Sequence, residues 1–204
     1  MMKVDSKPSE VGKALCDAAK ATHGHFLFES GLHGDLWLDL DALFVDTDRV
    51  QYFASLLADK AIGCRPDIVC GPLTGGAFLA ALMAAEMGAR FCFAERQVTG
   101  SRSVHYRVPD SLRADLAGRR VLLVDDAISM GSALLATLAD LADCGVEIAG
   151  LAALMVLGDA AEAIAKSRGV QLYTLTSIET GIWEPSQCPL CRSGVVLIDH
   201  QSVS

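Results

Sequence analysis

Val121-Leu-Leu-Val-Asp-Asp-Ala-Ile-Ser-Met-Gly-Ser-Ala-Leu134 is the stretch on which the reading of this chain turns. Four consecutive apolar residues with no alternation, Val121 to Val124, predict a strand buried on both faces of a parallel sheet. Asp125 and Asp126 fall at its carboxyl end, a loop is expected from Asp125 to Gly131, and a helix over 132–144 with Leu134, Leu135, Leu138 and Leu141 on its apolar side. Free N–H groups at the start of that helix, with the hydroxyls of Ser129 and Ser132, make an anion site suited to a phosphate. Two carboxylates beside a phosphate would repel it unless they hold something else. Vicinal sugar hydroxyls, with a metal-neutralised diphosphate nearby, meet that requirement. A helix cap uses one Asp or Ser at the first turn, so a pair of acids followed by Ser-x-Gly-Ser exceeds what capping asks.

Outward from this stretch the same rhythm repeats. Asp67-Ile-Val-Cys70 reads as a short strand, residues 71–76 as a glycine-rich loop, and 77–87 as an Ala-rich helix; 90–94 is a further strand. Residues 148–157, 159–167 and 170–175 read as strand, helix and strand. Strands separated by helices argue an α/β fold, a parallel twisted sheet flanked by helices, with ligands in the loops beyond the strands' carboxyl ends. Glycines 71, 75 and 76 fit a ligand loop, the favoured reading, although a tight strand-to-helix turn needs glycine whatever it binds. Upstream, Val11, Leu15, Ala18, Ala19 and Thr22 share a weak helical face, and Phe26 to Leu40 forms two alternating stretches around a Gly-rich turn, a hairpin or hood. Asp46-Thr-Asp48 caps a helix carrying Phe53, Leu56, Leu57 and Ala61.

Composition bounds the rest. With 204 residues, 51% of them hydrophobic, the chain suits one domain with a real core, over 1–204, and excludes general disorder. A formal charge of −8 and a pI near 5.0 argue against broad nucleic-acid binding. The longest apolar runs, such as 77–85, are about half what a membrane span needs, and the polar first ten residues lack a signal-peptide core, so a soluble, cytoplasmic protein is expected. Five of the seven cysteines (16, 64, 70, 92, 144) lie scattered in apolar segments and read as free thiols, buried in a reducing compartment. Cys188-Pro-Leu-Cys191 is half of a zinc pattern that normally needs four ligands, with His200 and the scattered cysteines the visible completions. No metal ligand is assigned, and His23, His25 and His33 read as ordinary surface or capping histidines. Trp183 reads as packing for the C-terminal segment.

The strand, acidic pair and Ser-x-Gly-Ser turn resemble the phosphoribosyl-diphosphate (PRPP) loop of the type I phosphoribosyltransferases. Within them the chain is most similar to the orotate phosphoribosyltransferases of a short bacterial branch, from about Phe26 to Asp199. Phe26-Leu-Phe-Glu-Ser-Gly31, Trp37-Leu-Asp39, Cys70-Gly-Pro-Leu-Thr-Gly-Gly76, Phe93-Ala-Glu-Arg96 and Trp183-Glu-Pro-Ser-Gln-Cys-Pro-Leu-Cys-Arg-Ser-Gly-Val195 carry that resemblance. It implies a type I fold with an N-terminal hood built from about 1–45 and the C-terminal segment. It implies that Asp125 and Asp126 hold the ribose hydroxyls and assist proton movement, while Ala127, Ile128, Ser129, Met130, Gly131, Ser132 and Ala133 cradle the 5′-phosphate. Leu73, Thr74, Gly75 and Gly76 would present N–H groups to the diphosphate, with Mg²⁺ bridging its oxygens. The implied partners are PRPP and orotate, in a homodimer whose loops reach the neighbouring site.

Two departures bear on substrate and catalysis. Residues 90–120 hold seven arginines against three acids, a local net of +4 in a chain of −8. Such a segment fits a mobile loop closing over diphosphate, and equally a solvated surface loop whose arginines pair with acids. The family's loop carries lysines; this one has none, leaving Arg96, Arg102, His105 and Arg107 as substitutes, with Arg96 the catalytic candidate. After the strand ending near Val156 the family has Asp-Arg, its arginine pairing with the orotate carboxylate, whereas Leu157-Gly-Asp159 stands here. Ser129, the N–H groups near Ser30 and Gly31, or an arginine from 90–120 are left to receive that carboxylate. The expectation is weak orotate turnover or preference for another base, with a non-catalytic PRPP-sensing regulator as a further reading.

Overall fold

The computed structural model describes residues 9–28, 30–99 and 103–199. In chain order it runs α1 (Glu10–Ala18), β1 (Thr22–Leu27), β2 (His33–Trp37), α2 (Leu40–Leu43), α3 (Thr47–Ala61), β3 (Ile68–Pro72), α4 (Gly75–Met87), β4 (Arg90–Thr99) and β5 (Ser103–Arg107). It continues with α5 (Asp110–Arg113), β6 (Arg120–Ile128), α6 (Ser132–Asp143), β7 (Glu147–Leu157), α7 (Ala160–Arg168), β8 (Leu172–Ile178), β9 (Ile182–Trp183), α8 (Pro189–Arg192) and β10 (Ile198–Asp199).

Six strands form one sheet in the order β5-β4-β3-β6-β7-β8, parallel except for β5 at the edge. Two apolar clusters lie on its two faces. Leu122 and Val124 of β6 and Ala152 and Leu154 of β7 join α3 and α4 in one; Val121, Leu123, Leu151 and Ala153 join α6 and α7 in the other. This double burial is what the unalternating Val121–Val124 run predicts. The parallel strands leave β3 in opposite directions, so the order reverses between β3 and β6. In doubly wound sheets the crevice at that reversal, beyond the carboxyl ends, is where ligands sit.

Several boundaries differ from the sequence expectation. The strand does not stop at Val124: Asp125, Ala127 and Ile128 keep pairing in register with Ala153, Met155 and Val156 of β7, which shortens the loop to 129–131. Likewise Gly71 and Pro72 belong to β3 and α4 begins at Gly75, so the expected six-residue loop is Leu73 and Thr74, joined by a cis peptide. β4 continues past Ala94 to Thr99 and pairs antiparallel with β5, making a hairpin of what reads as irregular polar chain. Ser103-Val-His-Tyr-Arg107 has the period-two alternation of a strand, which its charge count obscured. Thr22 starts β1 and not a longer α1, and Leu135 of α6 is exposed while Leu134, Leu138 and Leu141 are buried. Asp46 caps α3 as expected, accepting from Arg49 N–H at 3.1 Å.

A second, four-stranded sheet has the order β10-β1-β2-β9. The hairpin expected around Phe26–Leu40 is β1–β2, and the two-residue strands β9 and β10 add the C-terminal segment to both its edges. Trp183 pairs with His33 there, fastening that segment as expected. None of the helices among the described residues is long and apolar enough to cross a membrane.

Candidate active site

The two loops singled out by sequence meet at the β3/β6 reversal. Asp125 and Asp126 follow the apolar run of β6, each less than a tenth exposed. Asp125 Oδ1 accepts the Asp126 N–H at 3.1 Å, and Asp126 Oδ1 accepts the Ala127 N–H at 2.7 Å. No described cation forms an ion pair with either. Burial, and then repulsion from Asp126, hold the Asp125 carboxyl well above the usual carboxylate range; burial also raises Asp126. Such a pair is a site prepared for a ligand: among the described residues no charged side chain compensates it.

The glycines of the facing loop are explained by close approach. A Cβ on Gly75 would overlap the Asp126 carboxylate, and one on Gly76 would lie 2.7 Å from Asp125 Oδ1. Neither has a positive φ, so the turn alone does not require them. α4 therefore starts in contact with the acidic pair, and the first N–H groups of its 13 residues lack intrahelical partners. Leu73 is different: its N–H donates to the Ala94 carbonyl at 2.9 Å, so it is not free to bind a diphosphate as the sequence reading has it.

On the other side, Gly131 is the residue before α6, at φ +74°, where an L side chain is strained and would meet Ile164. No side chain caps α6, and the Ser129 and Ser132 hydroxyls make no hydrogen bond among the described residues. The N–H groups of the first α6 turn and both hydroxyls thus remain available to an anion. Ile128, by contrast, is a core side chain.

Beside the pair lies a cavity of about 800 Å³, within the range of small-molecule sites. Its walls are Phe28, Leu32, Leu36 and Trp37 from the hood hairpin, Leu157 from β7, and Ala127, Ser129, Met130, Ser132 and Ala133 from the β6–α6 turn; Arg96 and Tyr106 come from the β4–β5 hairpin. Ser30 lines it too, but Gly31 does not: its N–H donates to the Phe28 carbonyl at 2.8 Å, closing the hairpin turn. That corrects Gly31 as a base-binding donor.

The arginine-rich segment divides. Arg96 faces Tyr106 across the hairpin and reaches the cavity. Arg107 pairs with Asp110 at 2.6 Å, Arg90 with Asp115 and Arg113 with Asp140 at 2.7 Å, and Arg120 with Glu147. His105 sits opposite Gln97 and lines a second, smaller hollow with Asp140 and Asp143. Arg102 lies outside the described residues. One described arginine thus faces the cavity, and four form the ion pairs with acids that the surface reading gives them. Tyr106 was missed by sequence; the Val104/Tyr106 alternation was the available signal. Burial and then Asp125 raise its phenol.

The histidine reading is corrected. His25 and His33 are buried, with Cys188, and all three meet Cys191. Of the scattered cysteines, Cys64, Cys70 and Cys92 are buried, Cys16 and Cys144 half-buried, and all are free.

Against known proteins, residues 48–190 match the phosphoribosyl transferase domain. The chain belongs to the phosphoribosyltransferase family. Relatives include the orotate phosphoribosyltransferase of Caldanaerobacter subterraneus subsp. tengcongensis, 30% identical over 178 residues covering 86% of this chain and 87% of that protein. That of Methylorubrum extorquens is 28% identical over 186 residues, 89% of each. The crystal structure of orotate phosphoribosyltransferase from Aeropyrum pernix matches with TM-score 0.66 at 22% identity, over 81% of this chain and 92% of that one. Adenine phosphoribosyltransferase from Thermoanaerobacter pseudethanolicus matches with TM-score 0.59 at 18% identity, over 70% and 88%. These structural likenesses bear out the type I phosphoribosyltransferase fold. As a member of this family the chain is a pentosyltransferase.

Proposed function

We propose that the chain transfers the 5-phosphoribosyl group from PRPP to a ring nitrogen of orotate, yielding orotidine 5′-monophosphate and diphosphate in pyrimidine nucleotide synthesis. The observation that carries this reading is the uncompensated buried pair Asp125–Asp126, set between two open helix starts beside an apolar cavity. The pair accepts the ribose hydroxyls. The α6 start with Ser129 and Ser132 takes the 5′-phosphate, and Thr74, Gly75 and Gly76 face the diphosphate. The hard oxygen donors of this set would suit Mg²⁺, with Asp125 and Asp126 the residues beside it, and the ion would supply neutralisation of leaving-group charge. Catalysis is then mainly electrostatic, with water excluded by the hood and hairpin walls.

Orotate needs a partner for its carboxylate, and Leu157 supplies none. We assign that role to Arg96, which lines the same cavity as Leu157 and is in no ion pair with a described acid. Named orotate phosphoribosyltransferases among the relatives support this base over the alternatives. We further propose a cytoplasmic homodimer in which residues 1–204 act as one domain; exposed Leu73 and Phe78, at and just beyond the diphosphate loop, are apolar surface for a second copy.

The test is diphosphate release by the purified chain with PRPP, Mg²⁺ and a panel of orotate, uracil, adenine and hypoxanthine. Turnover with orotate alone supports the reading, and Arg96→Gln should then lower kcat/KM for orotate by about 10–100-fold, the cost of losing a charge-paired carboxylate contact. Turnover with another base, or PRPP binding without turnover, overturns it.

A further inference from the structure

Four side chains that the transfer reaction does not use converge at the base of the hood hairpin. His25 and His33 lie on the paired strands β1 and β2; the register shifts between His23 and Phe26, and within that irregular stretch the His25 ring is turned to His33, their centroids 4.9 Å apart. Cys188 caps the single turn α8 and Cys191 lies within it. His25 Nε2 is 3.0 Å from His33 Nδ1, 3.4 Å from Cys188 Sγ and 3.6 Å from Cys191 Sγ; Cys191 Sγ is 3.3 Å from His33 Nδ1. All four atoms lie within 4.8 Å of one another, and both cysteines are free thiols.

Hydrogen bonding alone does not account for this packing. His25 Nδ1 lies 2.8 Å from the Val195 carbonyl, which can only accept, so Nδ1 carries the ring proton and Nε2 presents its lone pair inward. Three groups, His33 Nδ1, Cys188 Sγ and Cys191 Sγ, then crowd that single lone pair. A cation resolves the conflict, because each of the four atoms can direct a lone pair at one central point. A tetrahedral ion with metal–sulfur bonds near 2.3 Å and metal–nitrogen bonds near 2.0–2.1 Å sets ligand-to-ligand edges of about 3.3–3.8 Å. Four of the six edges, 3.0–3.6 Å, fall in or just under that range, and the other two are within 4.8 Å, close enough for an ion to draw Cys188 in. Two imidazoles and two thiolates are the donor set that selects Zn²⁺, and two thiolates cancel its charge inside a buried pocket. The surroundings agree: the Val195 carbonyl orients His25, and the Cys191 N–H donates to Cys188 Sγ at 3.5 Å, as partners of a thiolate ligand do.

We propose that His25, His33, Cys188 and Cys191 bind one structural zinc ion. On binding, the two thiol protons pass to solvent and the coordination sphere closes, with no open position for chemistry. The ion fastens the chain between β9 and β10, held otherwise by two-residue strands, onto the hairpin whose turn carries Phe28, Ser30 and Leu32 of the cavity wall. It therefore acts on the substrate pocket by holding its wall, not by touching substrate. The proposal does not depend on which base is used.

The test is metal analysis of the reduced full-length protein, purified without chelator and passed through gel filtration. About one zinc per chain is expected. Replacement by Co²⁺ should give thiolate-to-cobalt charge transfer in the near ultraviolet and intense tetrahedral bands in the visible. Strong chelation should lower Tm by at least about 5 °C, restored by Zn²⁺ alone. Cys188→Ser and His33→Asn should lose the metal; Cys191→Ser, at the exposed ligand, keeps the comparison available if the buried variants do not fold. A folded wild-type chain that takes up neither Zn²⁺ nor Co²⁺, that prefers another metal, or whose metal content is unchanged in these variants overturns the proposal.

Discussion

Carboxylates at the two ends of α6 meet opposite fates. Asp140, near its C-terminal end, is fully answered by the protein: both its oxygens accept from Arg113 Nη1 at 2.7–2.8 Å, and Oδ2 also accepts the Val108 N–H at 2.8 Å. Asp125 and Asp126, on the strand leading into α6, are comparably buried but, among the described residues, receive only the backbone N–H groups of Asp126 and Ala127 and each other. The first arrangement is finished and serves stability. The second is unfinished without a ligand, and the desolvated, mutually repelling charge is held in place by the surrounding sheet. Burial of charge does not by itself distinguish structure from function; what distinguishes them here is whether the fold supplies the counter-groups.

The strongest test of this contrast removes the unfinished pair. Asp125→Asn with Asp126→Asn should lower kcat/KM for phosphoribosyl transfer by about 10³-fold or more, roughly 4 kcal/mol of transition-state stabilisation. The ligand-free variant should at the same time melt higher than wild type, since the burial cost of the charges is gone. Lower stability together with undiminished turnover would erase the distinction. Next, Gly75→Ala places a methyl group where the Asp126 carboxylate now lies. Steady-state kinetics should show a loss of about 10–100-fold, mostly in kcat, because a displacement near 1 Å misaligns the bound sugar. An alanine variant with wild-type kinetics would mean that the α4 start does not position the pair.

Asp140→Ala should behave in the opposite sense. Leaving Arg113 and the Val108 N–H without their acceptor should cost about 2–3 kcal/mol in denaturant unfolding. Turnover per folded molecule should stay within about two-fold, since Asp140 lines no wall of the main cavity. The smallest expected effect concerns pH. The carboxyls of Asp125 and Asp126 are raised in the folded state, so between the ordinary carboxylate range near 4 and those raised values the folded chain binds more protons than the unfolded one. Stability contributed by the pair is therefore present at low pH and lost as pH rises. The Tm of the ligand-free protein should fall between pH 5 and 7 more steeply in wild type than in Asp125→Asn, by a few degrees at most. Parallel profiles would remove the coupling from the account.

The sequence by itself determined those features in which neighbouring residues make the argument. Val121–Val124 specifies a doubly buried strand because nothing polar interrupts it, and Asp125-Asp126 followed by Ser-x-Gly-Ser places charge, hydroxyls and a helix start within eight residues. The α/β rhythm, the hood hairpin and the two ligand loops follow from the same local logic. Only the tertiary structure decided where the strands end, because Asp125, Ala127 and Ile128 are strand residues through their pairing with β7 and not through their own preference. The same holds for Arg96: in sequence it is one of seven arginines, and the hairpin register turns it to the cavity with Tyr106 while ion pairs take up four of the others. His25 and His33 lie more than 150 positions from Cys188 and Cys191, and nothing in the intervening chain signals their meeting. They meet because β9 and β10 close on the two edges of one hairpin, a contact set by backbone pairing between distant segments, which local sequence does not encode.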